Sequence, residues 1–206
     1  MPLTTLKHPL AKHFLTQLRD RETNSSEFRS VCHRLTTFLV IEATKNLPVI
    51  SSSIETPLES FEGIKLEHNV VVVPVLRAGL GMLEGVVELI PELSVGYVGL
   101  ERDHETAEAH SYYCKLPELD NRLILLVDPM LATGGSAEVA IDRLVAEGAC
   151  DLRFLCIVAS PEGVERLLKR FPKLEIITAA LDRGLNRDKY ILPGLGDFGD
   201  RLYGTT

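Results

Sequence analysis

Leu123-Ile124-Leu125-Leu126-Val127 is an unbroken apolar run, and it leads directly into Asp128-Pro129-Met130-Leu131-Ala132-Thr133-Gly134-Gly135-Ser136. A run with no polar residue predicts a strand buried on both faces, which is typical of a parallel sheet covered by helices. Beyond Ser136, apolar residues recur at helical spacing, at Ala137, Ala140, Ile141, Leu144 and Val145. The stretch therefore predicts a strand, a glycine-containing loop and a helix, which is the repeating unit of an α/β protein.

More units of this kind are predicted on both sides. Other apolar runs indicate core strands at 70–75, 94–100, 154–158 and 174–178. Helical patterns occupy 8–20, about 25–45, 79–90, 136–147 and 162–170. Residues 48–68 are polar, with short β-prone pieces. The alternation predicts one domain over residues 1–206, an open parallel sheet with helices on both faces, and a ligand site at the carboxyl ends of the strands.

Composition and charge exclude several classes of protein. The 206 residues suffice for one substantial core and are too few for two ordinary α/β domains. The net charge of −7 argues against a nucleic-acid partner, since non-specific binding needs a basic surface. We expect neither a secretory signal nor a membrane span, because no apolar run is long enough. The four cysteines form no C-x-x-C pair, which favours reduced thiols in a cytoplasmic protein.

The loop at 128–136 has the composition of a phosphate-binding site. Gly134 and Gly135 allow the backbone to approach an anion closely, and the N–H groups that open the following helix would point at it. Thr133 and Ser136 add hydroxyl donors, and the Asp128 carboxylate can accept hydrogen bonds from ribose hydroxyls. The G-K-[ST] of a Walker A loop is absent. An equally weighted alternative is a tight turn in which Asp128 only caps the helix.

Val127–Ser136 resembles the phosphoribosyl diphosphate loop of type I phosphoribosyltransferases. That family usually has two adjacent acidic residues here, and the Asp128-Pro129 form resembles the uracil phosphoribosyltransferases. The resemblance extends from Lys7-His8-Pro9-Leu10 to the closing Gly204-Thr205. It implies a small hood built from N- and C-terminal segments over the sheet. It also implies transfer of the phosphoribosyl group of 5-phospho-α-D-ribose 1-diphosphate to uracil, giving UMP and diphosphate.

Two further segments acquire roles in binding the diphosphate. Arg77 follows the run at 70–75, and its planar guanidinium matches a diphosphate, although a surface ion pair is the alternative. Similar loops in the family bind pyrophosphate, and some contain a cis peptide. Residues 101–117 form a long polar segment, which the resemblance places as a mobile flap over the site, with Arg102 on the diphosphate. The resulting diphosphate set is Arg77, Arg102, Asp128, Pro129, Met130, Leu131, Ala132, Thr133, Gly134, Gly135, Ser136 and Asp197.

The C-terminal segment from Tyr190 to Thr205 is rich in Pro and Gly, and so it exposes backbone donors and acceptors. Uracil must donate from N3–H and accept at O2 and O4, and a backbone N–H facing O4 cannot pair with the amino group of cytosine. The resemblance places the base contacts at Ile191, Gly196, Asp197 and Phe198, with Asp197 also near the ribose and diphosphate. Phe198 is bulkier than the small residue expected there, and Lys189 replaces an expected glycine.

The predicted catalytic set is Arg77, Arg102, Asp128 and Asp197, and Asp197 is the candidate for taking up the N1 proton. Mg²⁺ is the expected cofactor, held mainly by the diphosphate and water without dedicated protein ligands. The resemblance further implies a homodimer or higher homo-oligomer, and GTP as an effector in some relatives.

Three alternatives to this function remain open from the sequence. The first is another base, such as hypoxanthine, adenine or orotate. The second is a regulatory RNA-binding protein on the same fold. The third is a dinucleotide-binding oxidoreductase, suggested by the glycines at 79 and 81 and at 194, 196 and 199. The first glycine pattern is broken by Glu84, and too few residues follow the second to build a βαβ unit.

Overall fold

The computed structural model describes residues 2–102 and 109–205. Its strands are β1 (Leu3–Thr5), β2 (Val49–Glu55), β3 (Ser60–Leu66), β4 (Val70–Leu76), β5 (Ser94–Val95), β6 (Tyr97–Arg102), β7 (Ala109–Lys115), β8 (Leu123–Val127), β9 (Met130–Leu131), β10 (Asp151–Ala159), β11 (Glu175–Leu181), β12 (Gly184–Leu185) and β13 (Ile191–Leu192). Its helices are α1 (Pro9–Arg19), α2 (Ser25–Thr44), α3 (Leu80–Leu89), α4 (Gly135–Ala146), α5 (Pro161–Arg170) and α6 (Phe198–Tyr203). Within these two described ranges, no helix is long and apolar enough to cross a bilayer.

The main sheet has the order β1-β11-β10-β8-β4-β6-β7, and all of these pairs are parallel except β6 with β7. Its central strands β4, β8, β10 and β11 contain the apolar runs that predicted core strands, and β8 is buried along its whole length. Alternate residues face opposite layers of helices. Val72 and Leu125 pack with α1, α2, α3 and α6, while Ile124 and Phe154 pack with α4 and α5. The predicted α/β sheet with helices on both faces is confirmed.

The predicted hood is formed by the two ends of the chain. The antiparallel β12–β13 pair and α6 lie at the C-terminus, and they contact the end of α1 through two arginines. Arg19 on α1 pairs with Asp182, and Arg201 on α6 donates to the carbonyl oxygens of Leu18 and Asp20. Helix α2 begins where predicted, because the Asn24 side chain accepts from the N–H of Glu27.

The segment 48–68 is more regular than its polar composition predicted. β2 and β3 form a separate antiparallel hairpin in which Val49 pairs with Leu66 and Glu55 with Ser60. The turn is closed by Thr56, whose Oγ1 accepts from the N–H groups of Leu58 and Glu59. Core-strand patterns miss such a hairpin because both of its faces are exposed, so neither strand needs a continuous apolar run.

The segment 101–117, predicted as a long loop, is a β-ribbon at both of its ends. β6 pairs antiparallel with β7, from Tyr97 opposite Lys115 to Arg102 opposite Ala109. The ring of Tyr112 crosses directly over Gly99, where a side chain would collide with it. Composition suggested a loop because β7 is polar and its pairing with β6 is not visible in its own sequence. The central part of the predicted flap, 103–108, lies outside the described residues.

Candidate active site

A cavity of about 180 Å³ opens where β8 ends. Its lining combines the predicted phosphate loop with the start of the C-terminal helix: Ala78, Asp128, Met130, Leu131, Ala132, Thr133, Gly134, Gly135, Ser136, Ala137, Asp197, Phe198 and Gly199. Pro129 is not part of this lining, because it is buried and its carbonyl oxygen accepts from the N–H groups of Ile157 and Val158 on β10. The proline therefore anchors the loop to the sheet.

The loop has the shape expected of an anion cradle. Gly134 has a φ of 78°, a left-handed conformation that favours glycine, and α4 begins at the next residue. The first N–H groups of α4 and the positive end of its dipole therefore lie at the cavity. Glu138 in the first turn is paired with Arg166 and Arg170, so its charge is balanced.

Two residues that the sequence analysis did not identify support the cradle from beneath. The buried Ser160 donates from Oγ to the carbonyl oxygen of Ala132 at 2.6 Å and accepts from the N–H of Gly163 at 3.0 Å. Any side chain at Gly163 would collide with that same Ala132 carbonyl. The signal available in the sequence was Ser160 before Pro161, the usual start of a helix.

Asp128 lies at the carboxyl end of β8, half-buried at the cavity wall. Its N–H donates to the carbonyl oxygen of Leu155, and its Oδ1 accepts from the N–H of Met130 at 3.4 Å. Behind it, burial raises the pKa of the Cys156 thiol to about 12, and the negative charge of Asp128 adds to this effect. The carboxylate is held at the strand end with its outer side towards the cavity.

Arg77 follows β4 with an exposed side chain, and the Leu76–Arg77 peptide bond is cis, as some loops of the resembled family have. Its carbonyl oxygen accepts from the Tyr203 hydroxyl at 3.1 Å, which connects this loop to the C-terminal helix. The adjacent Ala78 lines the cavity, whereas Arg77 itself does not. Arg102 ends β6 opposite Ala109, and its side chain lies outside what the structure describes.

A second cavity of about 230 Å³ lies under the hood. It is lined by Met130, Ala132, Asp188, Lys189, Tyr190, Ile191, Gly196, Asp197 and Phe198. All four residues expected to contact the base are in this set. The loop between them contains a cis bond at Leu192–Pro193 and left-handed glycines at 194 and 196. Lys189 also adopts a left-handed conformation, with φ 67°, so it keeps the backbone shape of the glycine it replaces.

The two cavities share Met130, Ala132, Asp197 and Phe198. A phosphorylated sugar in the first and a flat heterocycle in the second would therefore lie side by side. Asp197 stands between them and is oriented by its own helix, since its Oδ1 accepts from the N–H of Asp200 at 3.0 Å. A loop with the shape of an anion cradle at a core strand end, beside a second cavity under the hood, is the arrangement expected of a type I phosphoribosyltransferase, and the fold belongs to that class.

Comparison with known proteins identifies the family within this class. The uracil phosphoribosyltransferase family model matches residues 5–205. Relatives named uracil phosphoribosyltransferase include those of Mesorhizobium japonicum, 48% identical over 98% of both chains, and Levilactobacillus brevis, 46% identical over 97% of both. The solved structure of the AQ2163 protein from Aquifex aeolicus, 38% identical, superimposes with a TM-score of 0.95 over 99% of both chains. The chain belongs to the uracil phosphoribosyltransferase family, whose members are pentosyltransferases that form UMP.

Proposed function

We propose that this protein joins uracil to 5-phospho-α-D-ribose 1-diphosphate at the two adjoining cavities, releasing UMP and diphosphate. The observation that carries the proposal is their common wall of Met130, Ala132, Asp197 and Phe198. Such a wall allows C1′ of the ribose and N1 of the base to approach within one site. Catalysis then depends chiefly on positioning, because a bound pair no longer has to meet from solution.

The cradle at 128–136 accounts for the ribose 5-phosphate. Backbone N–H groups at the start of α4, with the hydroxyls of Thr133 and Ser136, supply donors to the phosphate oxygens. Asp128 is then the acceptor for the ribose 2′- and 3′-hydroxyls. The support from Ser160 and Pro129 keeps this surface fixed, so little reorganisation is needed when the substrate binds.

Arg77 and Arg102 are proposed to bind the diphosphate, and their positive charges stabilise the negative charge that builds up as it departs. Within residues 2–102 and 109–205, no group of three or more His, Cys, Asp or Glu side chains could hold a metal ion. Because Mg²⁺ usually keeps its waters and substrate phosphates as ligands, it would be held mainly by the diphosphate and water, with the negative charges of Asp128 and Asp197 at the cavity wall beside it. When bound, Mg²⁺ would supply charge neutralisation on the diphosphate.

In the proposed reaction, the bond from C1′ to the diphosphate oxygen breaks and its electron pair leaves with diphosphate. Uracil N1 forms the new bond to C1′ from the opposite face, which inverts the anomeric centre. The N1 proton is lost to a base, for which Asp197 is the candidate because it lines both cavities. The hood and the predicted flap would exclude water from the electron-poor C1′.

The assembly and location are also proposals. β1 pairs with β11, so the first strand of the chain is the neighbour of the last strand of the main sheet, which supports a single domain over residues 1–206. The β2–β3 hairpin exposes apolar side chains on both faces, including Ile64 at 73% and Leu58 at 95% exposure at its tip. A lone two-stranded hairpin is marginally stable, so we infer that a second copy of the chain covers it. The free cysteines favour a reducing cytoplasm.

Product analysis with phosphoribosyl diphosphate, Mg²⁺ and a panel of bases tests the proposal. UMP should appear with uracil, and hypoxanthine, adenine, cytosine and orotate should give little or no nucleotide. The regulatory alternative predicts salt-dependent RNA binding, which the net charge of −7 disfavours. Repeating the uracil assay with and without GTP tests the effector, and light scattering tests the oligomer, which Ile64→Glu should dissociate.

A further inference from the structure

A partly buried ion pair joins the N-terminal helix to the segment that follows β11. Arg19, the last residue of α1, donates from Nη1 to Oδ2 of Asp182 at 2.8 Å and from Nη2 to Oδ1 at 2.6 Å. The Asp182 side chain is 5% exposed, and its backbone N–H donates to the carbonyl oxygen of Ala159. The pair is therefore bidentate and anchored to the sheet.

The same pair holds both polar groups of Gly194 in the base loop. The N–H of Gly194 donates to Oδ2 of Asp182 at 2.9 Å, and its carbonyl oxygen accepts from Nη1 of Arg19 at 2.7 Å. Gly194 has a φ of 59°, and a side chain there would collide with the Ile191 carbonyl. The loop turns sharply at this point, and the ion pair fixes the direction in which it leaves the turn.

A second arginine fixes the next carbonyl along the chain. Arg201 donates from Nη1 to the carbonyl oxygens of Leu195, at 2.9 Å, and Leu18, and from Nη2 to that of Asp20. Its guanidinium also lies 4.5 Å above the Phe28 ring. Two consecutive residues of the base loop are thus held by two guanidinium groups that contact the end of α1. The following residues, Gly196 to Phe198, line the base cavity.

We propose that Arg19 and Asp182 are positioning residues for base recognition. They hold Gly194, and through it they fix the backbone at 196–198 in the orientation that pairs with uracil. This role rests on the function proposed above, and it extends that function to residues which lie outside both cavities. Neither side chain needs to touch a substrate. Because backbone groups cannot rotate to correct their own direction, the selectivity of the pocket depends on how firmly the loop is held.

A positioning role differs measurably from a purely structural one. Loosening the loop should weaken uracil binding while the cradle at 128–136 still binds phosphoribosyl diphosphate. A general loss of stability would weaken both substrates together. The ratio of the two KM values is therefore the informative readout, and it is measured only on folded enzyme below its melting temperature.

The test compares Asp182→Asn and Arg19→Lys with a matched control. Asp142 and Arg170 form a bidentate pair of the same chemistry, with Nη2 2.9 Å from both carboxylate oxygens, on the exposed surface between α4 and α5. Asp182→Asn keeps the shape but removes the charge, and Arg19→Lys keeps the charge but loses the planar fork. Each should raise the KM for uracil by about tenfold or more, as expected on losing charge-assisted hydrogen bonds, and change the KM for phosphoribosyl diphosphate by less than about threefold. Asp142→Asn should change neither.

An equal rise in both KM values, or no change in either, would overturn the positioning role. A shift as large in Asp142→Asn would overturn it too.

If the variants do not fold, hydrogen exchange on the wild-type protein decides: the Gly194 amide should be protected without ligand, and exchange at the rate of an unstructured peptide contradicts the role. Wild-type turnover with uracil is measured first. If wild-type turnover is absent, the proposed function is refuted. If wild-type turnover is present but the variants change both KM values equally or change neither, only the positioning role is refuted.

Discussion

The rings of Phe28 and Phe198 pack edge to face with their centroids 5.1 Å apart. Phe28 lies on α2 and Phe198 is the first residue of α6, so this contact joins the N-terminal helices to the loop that borders both cavities. Only 3% of Phe198 is exposed, and its ring also lies against Gly81 on α3. The bulk of Phe198, where the resemblance led us to expect a small residue, is therefore accommodated in the core.

Phe198→Ala should destabilise the protein by about 3–5 kcal/mol, because it removes a buried aromatic ring and leaves a cavity. The ratio of turnover with 5-fluorouracil to turnover with uracil should stay unchanged, since the ring packs beneath the loop. Urea unfolding measures the first quantity and steady-state kinetics the second. Phe28→Ala is the paired variant, and the double variant should lose less than the sum of the two. An improved ratio for 5-substituted uracils would show instead that the ring shapes the base pocket.

Asp128→Asn should fold normally and lose most of its turnover. The amide keeps the shape of the side chain at the end of β8, but it removes the negative charge of the carboxylate whose oxygens we propose accept hydrogen bonds from the ribose hydroxyls. Losing a charge-assisted hydrogen bond costs about 1.5–3 kcal/mol, which is at least a tenfold fall in kcat/KM. Circular dichroism and steady-state rates check the two parts. Asp142→Asn, which removes an exposed carboxylate of α4, should keep full activity. Near-normal turnover in folded Asp128→Asn would contradict the assigned role.

Arg77→Ala should weaken phosphoribosyl diphosphate far more than uracil. The exposed guanidinium is one charge-assisted partner of the diphosphate, so its loss should cost about 1.5–3 kcal/mol in binding that substrate. Isothermal titration with phosphoribosyl diphosphate and Mg²⁺ measures this loss. Arg143→Ala removes an exposed arginine from the last turn of α4, at the opposite end of that helix from the cradle, where it pairs with Glu147, and should leave the affinity unchanged. Equal losses for both substrates would indicate a folding defect.

The two buried thiols should be unreactive in the folded protein. Burial raises the pKa of Cys32 and of Cys156 to about 12 from an ordinary value of 9.0, so at pH 8 only about one in 10,000 is a thiolate. A thiol-specific chromogenic reagent should therefore label the exposed Cys150 rapidly and both buried cysteines only after unfolding. The unfolded thiols ionise near pH 9.0 and the folded thiols only near pH 12, so the folded protein binds these protons more tightly. The free energy of unfolding should therefore be unaffected by the two thiols below pH 9 and should fall as the pH rises towards 12. Rapid labelling of Cys156 at pH 8 would contradict the raised pKa.

The parts of the fold that were predictable are those in which local pattern and final burial agree. Val70–Leu76 and Leu123–Val127 are buried on both faces, and their unbroken apolar runs predict this burial. β6 overlaps the predicted strand at 94–100 and buries Val98, whereas the β2–β3 hairpin is exposed on both faces and the described side chains of β7 are not buried, so these strands lack an unbroken apolar run.

The candidate site divides in the same way. The residues at 128–136 carry their chemistry in one continuous stretch, and the structure places all but Pro129 at the first cavity. The Arg19–Asp182 pair was missed because its members are separated by 163 positions, and neither has a local pattern that points to the other. Ser160 was missed for a similar reason, since its partner Ala132 is 28 residues away.

The final prediction concerns the base: uracil should be used well and cytosine very poorly. In the cavity under the hood, the predicted contacts at Ile191 and at 196–198 come from a loop that turns at left-handed glycines, Gly194 and Gly196. A backbone N–H directed at O4 of uracil would face the amino group of cytosine, which leaves two donors opposed and unpaired. In a buried site such a mismatch costs several kilocalories per mole, enough for a preference of about 100-fold or more.

Competition between labelled uracil and cytosine at equal concentration, with the nucleotide products separated, gives the ratio of kcat/KM values directly. The matched variant is Gly196→Ala. Gly196 has a φ of 81°, a conformation in which a residue with a side chain is strained. The added carbon would have room, since the nearest described atom, on Arg201, is 3.6 Å away. Its effect would therefore act through the backbone and not through a collision. We expect Gly196→Ala to reduce the preference for uracil chiefly by lowering uracil turnover. Cytosine or a purine reacting as fast as uracil in the wild-type protein would refute the base assignment, and an unchanged ratio in Gly196→Ala would show that the loop does not make the discrimination.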